Sequence, residues 1–242
     1  MNDLIDIGVA GFRVDACKHM WPGDMEAIYN RMHNLNTQWW PAGTQPFMAS
    51  EVIDRGGEPI TADEYFHLGR VTEFKFCDNI GSVFKGGNNL ASLQSWGEGW
   101  GGMMNSYNAW VFVDNHDNQR DHGGGGTVIT YHDSYEYKLA TAFKLAHPYG
   151  FTRIMSSYDF PPGDGDYGPP MSGNDISDVI INPDGTCSGG WVCEHRWRQI
   201  TNMVKFRNVA GGEGGSADNW WSNGNDQIAF SRGDRAFIAF NM

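Results

Sequence analysis

Five short apolar runs, residues 9–15, 47–51, 71–76, 109–114 and 151–155, each close on polar residues, and stretches with helical spacing separate most of them. Met25, Ile28, Met32 and Leu35 recur at three- and four-residue steps. So do Tyr137, Ala140, Phe143 and the Lys144–Leu145 pair, so each set can lay one helix face on a sheet. A further helix is expected over residues 194–208, with Trp197, Ile200, Val204 and Arg207 spaced along it. Strands alternating with helices at roughly 25- to 40-residue intervals call for parallel pairing through crossover helices, in a doubly wound sheet or a (β/α)8 barrel.

The polar residues choose between the two. A doubly wound nucleotide fold wants a glycine-rich phosphate turn after a strand, and none follows the first run. Barrels carry their chemistry at the C-terminal ends of several different strands, and Asp15, Glu51, Asp117 and Arg153 all follow their runs here. The expected class is therefore α/β, the C-terminal part of a (β/α)8 TIM barrel with about five of its eight strands. Past Asn208 the texture turns to Gly, Ser, Asn and Asp, followed by two β-like runs, 227–231 and 236–241, joined by a Gly-Asp turn. Residues 1–208 are expected to be the barrel portion and 209–242 the opening of an antiparallel β domain, with too few strands to close a sheet. Both ends look cut, and a chain lacking barrel strands is expected to fold poorly when alone.

Composition excludes some functions. The net charge of −12 comes from 29 acidic against 17 basic residues, and no stretch concentrates Lys and Arg enough to neutralise a phosphate backbone, so no nucleic-acid partner is expected. No apolar run approaches the roughly 20 residues that span a bilayer, so no membrane partner is expected either. The first ten residues lack the basic start and long apolar core of a signal peptide. Ten Trp and nine Tyr suit stacking on flat sugar faces, and they equally suit an aromatic core. Cys187 and Cys193 flank a turn that a local disulfide can close, although two free thiols of a cytosolic protein fit the same spacing. Cys17 and Cys77 read as buried thiols or as halves of a second bridge. The glycine-rich run 122–127 has no following Lys-Ser/Thr pair and so is not a phosphate loop; it reads as a lid at a cleft mouth or as an idle loop.

Three strand-end words carry the chemistry: Phe12-Arg13-Val14-Asp15-Ala16 with Lys18-His19, Ala49-Ser50-Glu51-Val52-Ile53, and Phe112-Val113-Asp114-Asn115-His116-Asp117. Glycoside hydrolysis needs one carboxyl to protonate the leaving oxygen and a second carboxylate to attack or support an oxocarbenium-like centre. Strand-end acids on neighbouring barrel strands can supply both, although any one alone could be a helix N-cap. In order and context the words resemble those of the chloride-dependent α-amylases of animals. The resemblance covers the whole chain and extends to Lys18-His19-Met20-Trp21-Pro22-Gly23-Asp24, Ala146-His147-Pro148-Tyr149-Gly150-Phe151-Thr152-Arg153 and Val192-Cys193-Glu194-His195-Arg196-Trp197.

The resemblance implies endo-hydrolysis of α-1,4-glucosidic bonds in starch and glycogen by a retaining double displacement. It assigns Asp15 as nucleophile, Glu51 as general acid and base, and Asp117 as the third carboxylate, with the first two carboxyls about 5 to 5.5 Å apart. It implies a chloride held by Arg13, Asn115 and Arg153, where the anion disfavours ionisation of the general acid. Ordinary salt bridging of the two arginines to the acids is the plainer alternative. Lys18, His19, His116, His122, Ile53 and Glu58 match positions along the glucan path. His19 also matches a backbone-carbonyl ligand of calcium whose other ligands come from earlier in such chains, so weak or no calcium binding is expected here. Malto-oligosaccharides join starch and glycogen as expected partners, with a monomeric, secreted, extracellular enzyme and a Cys187–Cys193 disulfide. Two other readings stand beside this: a related α-glucosidase or transglycosylase, and a non-catalytic barrel relative serving as a binding subunit. All three acids are present, which speaks against the second. The chain alone is expected to be inactive on starch.

Overall fold

The computed structural model describes residues 1–122 and 126–242. A short helix α1 (Asn2–Asp6) leads into β1 (Gly11–Val14), and β2 (Phe47–Ser50), β3 (Arg70–Thr72), β4 (Ala109–Val111) and β5 (Phe151–Thr152) follow. These strands form one parallel sheet in the order β1-β2-β3-β4-β5. The crossovers include α2 (Pro22–Tyr29), α3 (Phe74–Phe84) and α4 (Ser134–Ala146). Successive parallel neighbours joined by helices are a barrel topology, and all five C-terminal strand ends reach one rim. The sheet curls: the rings of Phe47 on β2 and Phe151 on β5 lie 5.2 Å apart although two strands separate them in the sheet. Gly11 permits the tight seam at the start of β1, since a Cβ there would stand 2.4 Å from the Phe47 carbonyl oxygen.

The run 71–76 is not one strand. Pairing stops at Thr72, and Glu73 caps α3 by accepting the Lys75 N–H at 3.0 Å, so Phe74 and Phe76 are helical core residues. α2 ends at Tyr29 and leaves Leu35, although buried, in a loop. There Asn2 accepts the His33 N–H at 2.9 Å and Asn36 donates to the Asp6 carbonyl at 2.7 Å, side-chain bonds that compete with helix. The helix expected over 194–208 is instead a 3-10 turn, Glu194–Arg196, followed by α5 (Arg198–Ala210), with extended backbone at Trp197 between them. Short hairpins β6 (Met171–Ser172) with β7 (Asp175–Ile176), and β8 (Ile180–Ile181) with β9 (Cys187–Ser188), had no clear sequence signal.

After α5, β10 (Asp218–Ser222), β11 (Gln227–Arg232) and β12 (Ala236–Asn241) form a three-stranded antiparallel sheet, one strand more than the sequence pattern indicated. This sheet shares a core with the barrel side: Ile228, Phe230 and Phe240 cluster with Phe76, Ile80 and Phe84 of α3 and Tyr137, Ala140 and Phe143 of α4. Arg207 donates to the His147 and Gly150 carbonyls at 2.8 Å, and Arg232 to the Ala146 carbonyl at 2.8 Å, which satisfies the end of α4. Cys187 and Cys193 form a disulfide, whereas Cys17 and Cys77 are free and buried, which closes the alternatives that spacing left open.

Candidate active site

β1 delivers Asp15 to the rim and β2 delivers Glu51, and hydrogen bonds across the seam set their spacing. The Glu51 N–H donates to the Val14 carbonyl at 2.9 Å, and the Cys17 N–H to the Glu51 carbonyl at 2.9 Å. Ala16 sits in the left-handed region at φ 46°, which a residue with a Cβ adopts at a cost of about 1 kcal/mol. That conformation aims the Ala16 N–H at Glu51 Oε2, 2.8 Å away. Local strain is thus coupled to fixing a buried carboxyl.

One guanidinium serves both acids. Arg13 Nη1 lies 2.5 Å from Asp15 Oδ1, and Nη2 lies 2.8 Å from Glu51 Oε1. The Asp15 side chain is 74% exposed at the open rim and that of Glu51 only 7%, so the two acids differ sharply in solvation. The hydrogen bond and charge of Arg13 hold the Asp15 carboxyl below the ordinary carboxylate range, with smaller help from Glu51 and His116. Asp15 is therefore a carboxylate near neutral pH.

Asp117 does not follow its strand directly, as the sequence reading had it. β4 ends at Val111, and Asp117 lies six residues on, at the entry to a 3-10 turn, Asn118–Arg120. Asn115 builds that turn: its side-chain oxygen accepts the Asp117 N–H at 3.0 Å and the Asn118 N–H at 2.8 Å. The His116 ring lies 3.3 Å from Asp117 Oδ2.

The three residues expected to cradle an anion are all present at this rim. Each keeps a buried nitrogen without a hydrogen-bond partner: Arg13 Nε, Asn115 Nδ2 and Arg153 Nη1. Arg153 directly follows β5, its guanidinium lies 5.1 Å above the Trp110 ring, and burial and the charge of Arg13 lower its pKa from the usual arginine value. Unpartnered donors on two mutually repelling cations are costly unless something negative accompanies them. The plainer reading also holds in part, because Arg13 does salt-bridge to both acids.

Three of the expected substrate positions form one group. Lys18 Nζ donates to the Ile53 carbonyl at 2.8 Å and ion-pairs with Glu58. His19 lines a pocket of about 270 Å³ with Lys18, Trp21 and Tyr65, and Trp21 is 76% exposed. The His122 N–H donates to the Asp117 carbonyl at 3.0 Å while its ring lies 4.0 Å from Asp166. The glycine-rich lid expected over 122–127 falls largely on residues 123–125, outside the described residues. Among the described residues no group of three or more His, Cys, Asp or Glu is arranged to hold a metal ion.

Three further buried polar groups were not singled out for the site in the sequence. Glu194, fully buried, accepts the Ser157 N–H at 2.6 Å and the Ser157 hydroxyl. Glu73, also buried, accepts the Met104 N–H at 2.7 Å. Lys144, 2% exposed, donates to the Arg153 carbonyl. Only Lys144 left a readable sign: a charged residue on the apolar stripe of α4.

Sequential parallel strands with acids and arginines gathered at their C-terminal rim define a (β/α)-barrel protein with a carboxylate site. Along its whole length the chain is homologous to the α-amylases of animals. It is 57% identical over 242 residues to an alpha-amylase of Pecten maximus, covering 100% of this chain and 47% of that protein. It is 56% identical over 251 residues to the pancreatic alpha-amylase of Homo sapiens, covering 100% of this chain and 48% of that one. In structure it superposes on alpha-amylase I of Eisenia fetida, an E249Q mutant in complex with maltohexaose, with a TM-score of 0.92 at 51% identity, covering 99% of this chain and 49% of that one. The chain thus spans about half the length of the relatives it matches. No protein-family model matches it.

Proposed function

We propose that the protein to which this chain contributes hydrolyses internal α-1,4-glucosidic bonds of starch, glycogen and malto-oligosaccharides with retention of configuration. The observation that carries the reading is the Asp15–Arg13–Glu51 bridge, an ionised exposed carboxylate and a buried carboxyl on adjacent strands held by one guanidinium. The Eisenia fetida enzyme, whose complex contains maltohexaose, supports the substrate class. Asp15 attacks the anomeric carbon while Glu51 gives its proton to the departing glycosidic oxygen. A water that Glu51 deprotonates then cleaves the glycosyl ester and restores both acids. Asp117, with His116 beside it, holds sugar hydroxyls and supports the positive centre. Lys18, Ile53, Glu58 and His19 bind the leaving-side sugars, and His122 also binds substrate.

The unpartnered donors of Arg13, Asn115 and Arg153 fit a monovalent anion, chloride being the expected one. Bound there, chloride supplies negative charge that disfavours ionisation of Glu51. A calcium shell drawing on the His19 carbonyl needs ligands beyond those described, and no step above uses it. We further assign residues 1–208 to the barrel domain and 209–242 to an antiparallel β domain. The Cys187–Cys193 disulfide supports a secreted protein, and we assign a monomer. No helix is long and apolar enough to cross a membrane. The test is release of reducing ends from starch by the protein, with Glu51→Gln as control. Activity that survives that substitution rejects the reading.

A further inference from the structure

A lysine occupies a place in α4 where packing alone asks for a hydrocarbon. Tyr137, Ala140, Phe143 and Leu145 of this helix are core residues, and Lys144 is buried with them. Its Nζ donates to the main-chain carbonyl of Arg153, and among the described residues it has no salt bridge to a carboxylate. The Arg153 N–H in turn donates to the Val111 carbonyl of β4 at 2.8 Å. Both main-chain polar groups of Arg153 are therefore held, one by the sheet and one by Lys144, at the point where its guanidinium leaves β5 for the rim.

The surroundings of the ammonium are dry and hold further ionisable groups. Asp114, 1% exposed, accepts the Tyr137 hydroxyl at 3.0 Å with Oδ1 and leaves Oδ2 buried without a partner. Burial lowers the Lys144 pKa to about 7, with Asp114 opposing this and Arg207 and Arg153 adding to it. Burial also raises Asp114 to about 8, with Glu194 adding to this and Tyr137, Lys144 and Arg153 opposing it. A methionine would fill the same length without desolvating an amine, so packing does not account for the lysine. What the lysine adds is its donor to Arg153.

We propose that Lys144 is a positioning residue for the anion site: by holding the Arg153 carbonyl it fixes where the end of β5 sets the guanidinium, and so how tightly Arg13, Asn115 and Arg153 hold a monovalent anion beside Glu51. This inference rests on the anion-site reading above. It reaches the reaction only through Arg153, whose carbonyl Lys144 Nζ holds.

The experiment measures starch hydrolysis by the protein, and separately its thermal unfolding, with chloride varied against gluconate at constant ionic strength. Lys144→Met, which keeps length and packing, is expected to raise half-saturating chloride by about ten-fold, in line with the loss of a group that orients an ion's ligand. Turnover at saturating chloride stays near that of the parent. Lys144→Gln, which keeps an N–H donor, is expected to recover most of the chloride affinity. Thr141→Val, a buried change on the same helix, is expected to leave it unaltered. The chloride-induced rise in Tm is expected to follow the same order among the variants. A Lys144→Met protein that is less stable but has unchanged chloride half-saturation overturns the proposal, because that is a packing role alone. A Lys144→Gln protein as impaired as Lys144→Met overturns it too. A parent protein with no chloride response rejects the anion-site reading before any variant is compared, and the inference falls with it.

Discussion

Arg13 stands 2.5 Å from the Asp15 carboxylate, and the same side chain reaches Glu51 on the neighbouring strand. Its hydrogen bond and charge keep Asp15 ionised below the usual range. Removing the guanidinium returns the Asp15 pKa upward, so the acid limb of the pH–rate profile moves to higher pH. Arg13→Gln is expected to show this shift together with a fall in kcat/KM for starch of about a hundred-fold or more, since it also removes a fixed charge at the reacting centre. Initial rates from pH 3 to 8 check it; an acid limb that does not move disconnects Arg13 from Asp15.

Lys18, bonded to the Ile53 carbonyl and paired with Glu58, lies outside the carboxyl pair and is partly exposed. Lys18→Met is expected to raise KM for malto-oligosaccharides several-fold and to change kcat little, the pattern of a group that binds ground state and transition state alike. Its effect on Tm is expected to be small, because partly exposed ion pairs contribute about 0 to 1 kcal/mol. Steady-state kinetics on a defined oligosaccharide decide it. A loss confined to kcat would instead make Lys18 part of the chemical step.

The sequence was most legible where strand and function coincide. Asp15, Glu51 and Arg153 each directly follow a short apolar strand, and the structure brings all three to one rim. Asp117 was legible by its motif but not by its placement, because Asn115 folds the segment after β4 through side-chain hydrogen bonds that hydrophobic period does not report. α3 was hidden for a different reason. Its first turn, Phe74 to Phe76, continues the apolar run of β3, and only the capping bond of Glu73 separates strand from helix. Buried partners such as Glu194 with Ser157 lie 37 residues apart in sequence, and their pairing depends on the tertiary fold.

His147 follows α4 and carries a pH dependence that is separate from catalysis. Its ring stacks on Phe143 at 5.4 Å and meets Phe230 of the antiparallel sheet at 6.1 Å, and Nδ1 accepts the Tyr149 N–H at 3.3 Å. Burial, with Arg232 and Arg207 nearby, lowers its pKa to about 3. Below the unfolded value of about 6.5 the unfolded chain takes up a proton that the folded chain refuses, so stability falls as pH drops from about 6.5 toward 3. The loss is on the order of a few kcal/mol over that window. His147→Gln, which keeps an acceptor for Tyr149 and cannot be charged, is expected to flatten this part of the Tm-versus-pH curve; an equally steep curve in the variant assigns the acid sensitivity elsewhere.

Gly81, buried in the middle of α3, is where that helix meets the segment after Asp117. A Cβ there would fall 1.6 Å from the Thr127 carbonyl oxygen, too close for any side chain unless one of the two backbones moves. Helix propensity alone favours alanine by about 1 kcal/mol. The contact outweighs it, because a backbone carbonyl cannot swing aside as the tip of a flexible side chain can. Gly81→Ala is therefore expected to destabilise the protein by about 1 to 3 kcal/mol, as overpacking of a close contact does. It is also expected to lower kcat, since displacing residue 127 disturbs the segment that continues from the Asp117 turn. Urea unfolding and starch hydrolysis measured on the same preparation separate the two effects. A variant as stable as its parent or more so shows that propensity prevails and that the α3 seam can open without loss.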